Sequence, residues 1–117
     1  MRVTGGGSIS TSYLGTECTG WATAAPDYRV RFTAGDRNLL RFYFIADEPD
    51  ADHDPVLIVN DPVASYSCDD DSYDTLNPTI DFATPQGGRY DIWVASRRTG
   101  NVVPGTLYVT ELDINHP

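Results

Sequence analysis

The sequence contains no lysine, only two cysteines and two histidines, and no apolar run long enough to cross a bilayer. All eight basic residues are therefore arginines, and 17 acidic residues outnumber them, which gives a formal net charge of −9. A surface of this sign does not displace counterions from phosphate or attract anionic lipids. Nucleic acid is therefore not expected as a partner, and neither is insertion into a membrane.

The few cysteines and histidines also argue against a zinc site. Such a site takes about four ligands, whereas Cys18, Cys68, His53 and His116 are irregularly spaced. A single disulfide between Cys18 and Cys68 is the better prediction. A disulfide that closes a loop of about 50 residues stabilises a fold by about 3 to 4 kcal/mol. Because disulfides persist in oxidising compartments, the pair predicts a secreted or periplasmic protein.

The pattern along the chain is that of β-strands. Glycine and proline punctuate short blocks in which apolar and polar residues alternate, as in residues 27–33. This predicts an all-β fold, an antiparallel two-sheet sandwich that is jelly-roll-like and has seven to eight strands. The predicted strands are residues 8–14, 27–33, 39–45, 55–60, 64–68, 78–82, 89–95 and 105–112.

The length of 117 residues predicts one domain. We assign residues 8–113 to it. The glycine-rich start, residues 1–7, is predicted to be a flexible leader, and residues 114–117 a C-terminal tail.

Clustered carboxylates are the strongest chemical signal. Two acidic loops, residues 47–54 and 69–74, flank the 55–60 strand and its hairpin partner, so we expect them to meet at one end of the sandwich. A hard divalent cation with six to eight oxygen ligands would relieve their mutual repulsion, which favours calcium. The alternative is that both loops are only solvated. The acidic residues between positions 47 and 74 are Asp47, Glu48, Asp50, Asp52, Asp54, Asp61, Asp69, Asp70, Asp71 and Asp74.

Catalytic patterns are poor, and we predict that the protein is not an enzyme. His53 lies in an acidic loop and His116 in the tail, and no G-x-S-x-G nucleophile motif occurs. Two carboxylates for glycoside hydrolysis could be drawn from any of the acids, which makes that pairing unspecific.

Aromatic residues supply a second functional hypothesis, a protein- or carbohydrate-binding surface that uses no metal. Trp93 falls on the polar side of its strand, and Tyr66 and Tyr73 are further candidates for this surface. The structural alternative is that a loop or the opposite sheet covers the indole ring of Trp93.

Four segments resemble the bacterial pre-peptidase C-terminal domain. They are residues 54–59 (DPVLIV), 68–72 (CDDDS), 77–80 (NPTI) and 85–94 (PQGGRYDIWV), and the resemblance extends over about residues 28–112. It implies a jelly-roll-like sandwich with an accessory role beside exported enzymes, and calcium binding as in related modules. By motif position, the implied metal ligands are Asp54, Asp69, Asp70, Asp71 and Asn77.

Overall fold

The computed structural model describes residues 1–117 as two antiparallel sheets, which confirms the predicted all-β, two-sheet sandwich. It has ten strands, so the prediction of seven to eight was too low. Two 3₁₀ helices, Ser12–Leu14 and Thr16–Cys18, are its only helical segments. The strands are β1 (Arg2–Gly5), β2 (Ile9–Ser10), β3 (Trp21–Ala22), β4 (Tyr28–Phe32), β5 (Leu39–Ala46), β6 (Pro55–Asn60), β7 (Tyr66–Asp69), β8 (Thr79–Ala83), β9 (Gly88–Ser96) and β10 (Val103–Thr110).

The chain passes repeatedly between the two sheets. One sheet has the order β1-β10-β5-β8, and the other has the order β2-β3-β9-β6-β7, with β4 also paired to β9. Because β5, β8 and β10 belong to one sheet and β4, β6, β7 and β9 to the other, most connections after β4 cross the sandwich. Each strand therefore has an inner face towards the opposite sheet and an outer face away from it.

The inner faces form the main hydrophobic core. Leu40, Phe42 and Phe44 alternate along β5 and are buried against residues of the opposite sheet. The rings of Phe42 and Tyr90 lie 5.6 Å apart between the two sheets. Burial of one such side chain stabilises the fold by about 1.5 to 3 kcal/mol. The alternating apolar residues therefore favour an arrangement in which one face of each sheet is covered by the other sheet.

A smaller core covers the outer face of β6. Val56 and Ile58 pack there, and the partly buried Leu14 and Trp93 close the cluster. The disulfide between Cys18 and Cys68 joins the 3₁₀ segment to β7, with a Cα–Cα distance of 5.2 Å. The predicted disulfide is thus confirmed, and it holds the covering segment against the sheet.

The predicted flexible leader is instead part of the sandwich. Residues 2–5 form β1, which pairs with β10, and the Gly6 amide donates to the Val94 carbonyl at 2.9 Å. A Cβ atom on Gly7 would lie 2.2 Å from the backbone of Ala22. Glycine is needed here because the backbones pack closely. A glycine-rich composition is also typical of flexible linkers, which is why the sequence predicted a leader.

The C-terminal residues also pack on the body of the protein, against the four-stranded sheet. The buried Arg41 guanidinium donates to the carbonyl oxygens of Asp113 and Asn115 at 2.8 and 2.9 Å. The imidazole of His116 stacks on the ring of Tyr73, 4.0 Å between centroids. The C-terminal tail, residues 114–117, therefore contacts the body of the domain through Asn115 and His116.

Candidate metal centre

Antiparallel pairing of β6 with β7 creates an acidic cluster at one end of the hairpin. Asp54 immediately precedes β6, and Asp70 and Asp71 immediately follow β7. The register pairs Leu57 with Asp69, which brings these chain segments together. One carboxylate oxygen from each of the three aspartates lies within 4.8 Å of the others. We call Asp54, Asp70 and Asp71 the acidic cluster.

Two oxygens of the acidic cluster are buried without a hydrogen-bond partner, Oδ1 of Asp54 and Oδ1 of Asp70. Buried polar atoms are satisfied in the great majority of cases, so each such exception requires an explanation. Two orphaned carboxylate oxygens in one cluster indicate that a cation or a proton belongs between them.

One positive group, Arg97, already lies beside the cluster. Its guanidinium donates to Asp70 Oδ2, and its backbone amide donates to the Asp54 carbonyl at 3.0 Å. Pairing of Pro55 with Ser96 places it there, because Arg97 is the residue that follows β9. One guanidinium against three carboxylates leaves a charge of about −2 when all are ionised.

The electrostatics follow from burial and crowding. Burial raises the pKa of Asp54 to about 7, and the charges of Asp70 and Asp71 add to this effect while Arg97 opposes it. The pKa of Asp70 is also raised, first by burial. Close carboxylates titrate together, so the raised pKa values belong to the acidic cluster and not to one residue alone.

The other two predicted ligands have structural partners. Asp69 Oδ2 accepts from the Thr79 amide at 2.9 Å, which ties β7 to β8. Asn77 is 6% exposed, and its Oδ1 accepts from the Ala46 amide at 3.0 Å. The structure therefore brings together Asp54, Asp70 and Asp71, and places Asp69 and Asn77 in hydrogen bonds that shape the surrounding loops.

Hydroxyl groups hold the loop that follows the cluster. Ser72 Oγ donates to the Asn77 carbonyl at 2.6 Å, and Thr75 Oγ1 donates to the Ser72 carbonyl at 2.8 Å. Tyr73 and Asp74 have positive φ angles of 50° and 59°, the left-handed region in which aspartate is tolerated better than most residues. This loop presents Asp71 to solvent beside the more enclosed Asp54 and Asp70.

Sequence reasoning did not single out Arg97 as part of this site. Nothing in the Arg97–Arg98 pair distinguishes one arginine from the other, because only the β6–β9 register decides which residue reaches Asp70. In the structure, Arg98 Nε donates instead to the Ala51 carbonyl at 2.6 Å. Knowledge of the strand pairing would have identified Arg97.

The aromatic candidates divide between two places. Tyr66 and Trp93 lie together on the outer face of the six-stranded sheet, with ring centroids 6.0 Å apart. They line an apolar groove of about 270 Å³ with Ile9, Tyr13 and Leu14 among its other walls. Tyr73 lies elsewhere, where its ring stacks with His116 and lies 5.7 Å from the Arg41 guanidinium.

Comparisons with protein-family models, curated proteins and solved structures found no match. The resemblance to the pre-peptidase C-terminal domain stays a prediction. No helix in the structure has the length and apolar character needed to span a bilayer.

Proposed function

We propose that the protein is a non-catalytic, calcium-binding β-sandwich module that is secreted or periplasmic. The observation that carries the proposal is the pair of buried, unpartnered oxygens on Asp54 and Asp70, with the Asp71 carboxylate beside them. A cation at this position would satisfy both orphaned atoms and offset the repulsion that raises the pKa of Asp54.

The ligand types favour calcium over other metals. The cluster offers carboxylate oxygens alone, and both cysteines are joined in a disulfide. Oxygen ligands suit hard cations, and calcium accepts irregular shells of six to eight oxygens where magnesium demands an octahedron. Three carboxylates supply three to six of these, so water or backbone carbonyls would complete the shell.

A binding role fits the surroundings of the two histidines better than catalysis does. His53 Nδ1 lies 2.8 Å from Asp50 Oδ1, and His116 stacks on Tyr73. Neither imidazole contacts a serine or threonine hydroxyl, the arrangement that a triad hydrolase uses. The accessory role that the pre-peptidase resemblance implies, and the location outside the cytoplasm that the disulfide favours, belong to this proposal.

The test is thermal unfolding of the oxidised protein in EDTA, in millimolar calcium and in millimolar magnesium. At a hundred times its dissociation constant, a ligand specific for the folded state adds about 2.7 kcal/mol to the free energy of unfolding. We expect a calcium-specific rise in Tm of several degrees. An unchanged Tm would leave the two loops as solvated surface.

The alternative function, carbohydrate or protein binding without a metal, is favoured by one observation. The groove beside Tyr66 and Trp93 is apolar and open, and Tyr66 is 45% exposed. This surface lies away from the acidic cluster, so the two functions are compatible in one molecule.

A further inference from the structure

The outer face of the six-stranded sheet carries a patch of three arginines. Val30 and Phe32 of β4 pack against the inner core, so Arg29 and Arg31 lie on the opposite side of that strand. Arg89 lies on the same outer face of the neighbouring strand, β9, as does Asp91. We call Arg29, Arg31 and Arg89 the arginine patch; it holds three of the eight arginines of a chain whose net charge is −9.

The arginine patch carries more positive charge than its acidic neighbour, Asp91, neutralises. Asp91 Oδ1 accepts from Arg29 Nε at 2.7 Å, and Asp91 Oδ2 lies 3.5 Å from Arg89 Nε. Arg31 forms no ion pair, and the residue directly opposite it in the register is another arginine, Arg89. Like charges directly opposite one another repel, and an anion between the two guanidinium groups would offset this repulsion.

A polar cavity of about 430 Å³ adjoins the arginine patch. Arg89, Asp91 and Asn60 line it, and Asn60 Oδ1 is buried without a hydrogen-bond partner. The other carboxylate of the cavity, Asp61, already accepts from the amides of Val63 and Ser65 at 3.0 Å. The cavity therefore has an acceptor free for a hydroxyl group. Its own lining holds two aspartates and one arginine, and the positive excess lies in the adjoining arginine patch, where three arginines face Asp91.

Strand register aligns these groups with the aromatic residues. Tyr66 pairs with Asn60, Asn60 with Asp91, and Asp91 with Arg29, which forms one row across four strands. Neighbouring strands lie about 4.8 Å apart, so the row spans about 14 Å. Trp93, two residues beyond Asp91 on β9, lies beside this row with its ring next to Tyr66.

We propose that this face binds an acidic oligosaccharide. The faces of its sugar rings would stack on Tyr66 and Trp93, its hydroxyl groups would bond to Asn60, and its carboxylate or sulfate would lie between Arg31 and Arg89. Arginine is suited to bidentate pairing with such anions, and aromatic rings offer a flat apolar surface.

An oligosaccharide fits this surface better than an acidic peptide does. An extended peptide binds by adding to an open strand edge. Here Asn60 and Trp93 lie on β6 and β9, the central strands of the sheet, so the backbone groups beneath them are already bonded to neighbouring strands. Arg31 and Tyr66 lie on the outer strands β4 and β7, and the row that joins them crosses the sheet instead of following either edge. Arg89 and Trp93 are four residues apart, about 13 Å along β9, which requires a ligand longer than one sugar ring.

This surface is independent of the acidic cluster. Asp54 precedes β6 and Asn60 ends it, so the two lie at opposite ends of a strand of about 20 Å. Saccharide binding should therefore persist in EDTA, which also removes any calcium that would bridge uronate groups. Failure of calcium binding would leave this proposal intact, and the reverse also holds.

The experiment is isothermal titration calorimetry in EDTA at low salt with four probes of matched length. Tetragalacturonate carries carboxylates, a heparin tetrasaccharide also carries sulfates, cellotetraose is neutral, and tetraglutamate is an acidic peptide. We expect binding of at least one acidic saccharide, weakened by added sodium chloride, and weaker or no binding of the other two. The stronger of the two acidic saccharides then identifies the preferred anion.

Variants locate the site. Arg31→Ala and Tyr66→Ala should each raise Kd about tenfold, as loss of one charge-assisted bond or stacked ring does. Both side chains are exposed, so the variants should keep the wild-type Tm. Arg37→Ala, an exposed arginine in the turn before β5, is the matched control and should bind as wild type does.

The proposal is overturned if neither acidic saccharide binds, or if tetraglutamate or cellotetraose binds more tightly than both. It is also overturned if Arg31→Ala and Tyr66→Ala bind with the wild-type Kd, or if Arg37→Ala weakens binding equally. The last result would indicate attraction to general positive charge and not to this face.

Discussion

Two groups of aspartates from the same stretch of sequence have opposite surroundings in the structure. Asp47 accepts two hydrogen bonds from the Arg2 guanidinium, and Asp50 accepts from the amides of Asp52 and His53. The Arg2 guanidinium lowers the pKa of Asp47, and the His53 side chain, followed by the two amides, lowers the pKa of Asp50. In the acidic cluster, by contrast, the buried Oδ1 atoms of Asp54 and Asp70 have no donor, and both pKa values are raised.

The difference shows that carboxylate density alone does not define an ion site. What separates the groups is whether each carboxylate oxygen has either a donor or solvent. Donors can come from long-range pairing, as that of Arg2 with Asp47 does, whereas the unpartnered oxygens of Asp54 and Asp70 are buried. The comparison therefore predicts that the acidic cluster governs the response to calcium, whereas the partnered residues govern only stability or surface charge.

The largest expected effect comes from loss of the disulfide. Replacement of both cysteines by serine should lower the free energy of unfolding by about 4 kcal/mol, because the bond closes a loop with a sequence separation of 50. Urea unfolding measures this loss. The calcium response should also weaken, since Cys68 anchors β7 two residues before Asp70. An undiminished response would show that the cluster does not need this anchor.

The next effect is the loss of calcium stabilisation in Asp54→Asn. The wild type should gain about 2.7 kcal/mol at saturating calcium, and the variant should gain almost none. In EDTA at pH 7.5 the variant should be at least as stable as wild type, because it removes a repelled carboxylate. Thermal unfolding with and without calcium measures both quantities.

Asp47→Asn is the matched control for that variant, and it should keep the full calcium response. The distinction between the two groups of aspartates is wrong if calcium stabilises Asp54→Asn as much as wild type, or if Asp47→Asn loses calcium stabilisation.

Asn77→Ala should behave in the opposite way to Asp54→Asn, with lower stability in EDTA and an unchanged calcium response. It removes the acceptor of the buried Ala46 amide, which costs about 1 to 3 kcal/mol of stability in EDTA, while the calcium-induced shift in Tm persists. Asn38→Ala, at an exposed side chain, is the control and should change neither. If the folded Asn77→Ala protein lost its calcium response, Asn77 would be a ligand, as the family resemblance implies.

The most specific effect is on pH dependence. Because the folded-state pKa of Asp54 is raised to about 7, its contribution favours the folded protein below pH 4 and is lost as the pH rises through 7. Calcium competes with this proton. The Tm difference between calcium and EDTA should therefore grow from pH 5 to pH 8. A difference independent of pH would contradict the assignment of Asp54 as a ligand.

Local alternation was sufficient to predict the sandwich but not its edges. A strand was predicted for residues 39–45, and its alternate residues Leu40, Phe42 and Phe44 are buried together, as a period of two requires. β1 escaped prediction because arginine, threonine and glycine give no apolar alternation. Its position depends on pairing with β10, about a hundred residues away, which a local pattern does not record.

The candidate site was predictable to a similar extent. The sequence indicated that the two acidic loops meet at one end of the sandwich, and Asp54, Asp70 and Asp71 of these loops do come together. It did not separate Asp69 from Asp70, because only the strand register determines that Asp69 bonds to Thr79. Likewise, Trp93 and Tyr66 were predicted as a surface with Tyr73, and only the first two are neighbours.

Isothermal titration calorimetry of the oxidised protein with calcium, after removal of all metals by EDTA and dialysis, tests the central claim most directly. The account predicts one calcium ion bound per chain at pH 7.5, with release of protons, and no binding by Asp54→Asn or Asp70→Asn. If wild type shows no binding at millimolar calcium, or if both variants bind as wild type does, the acidic cluster is not a calcium site.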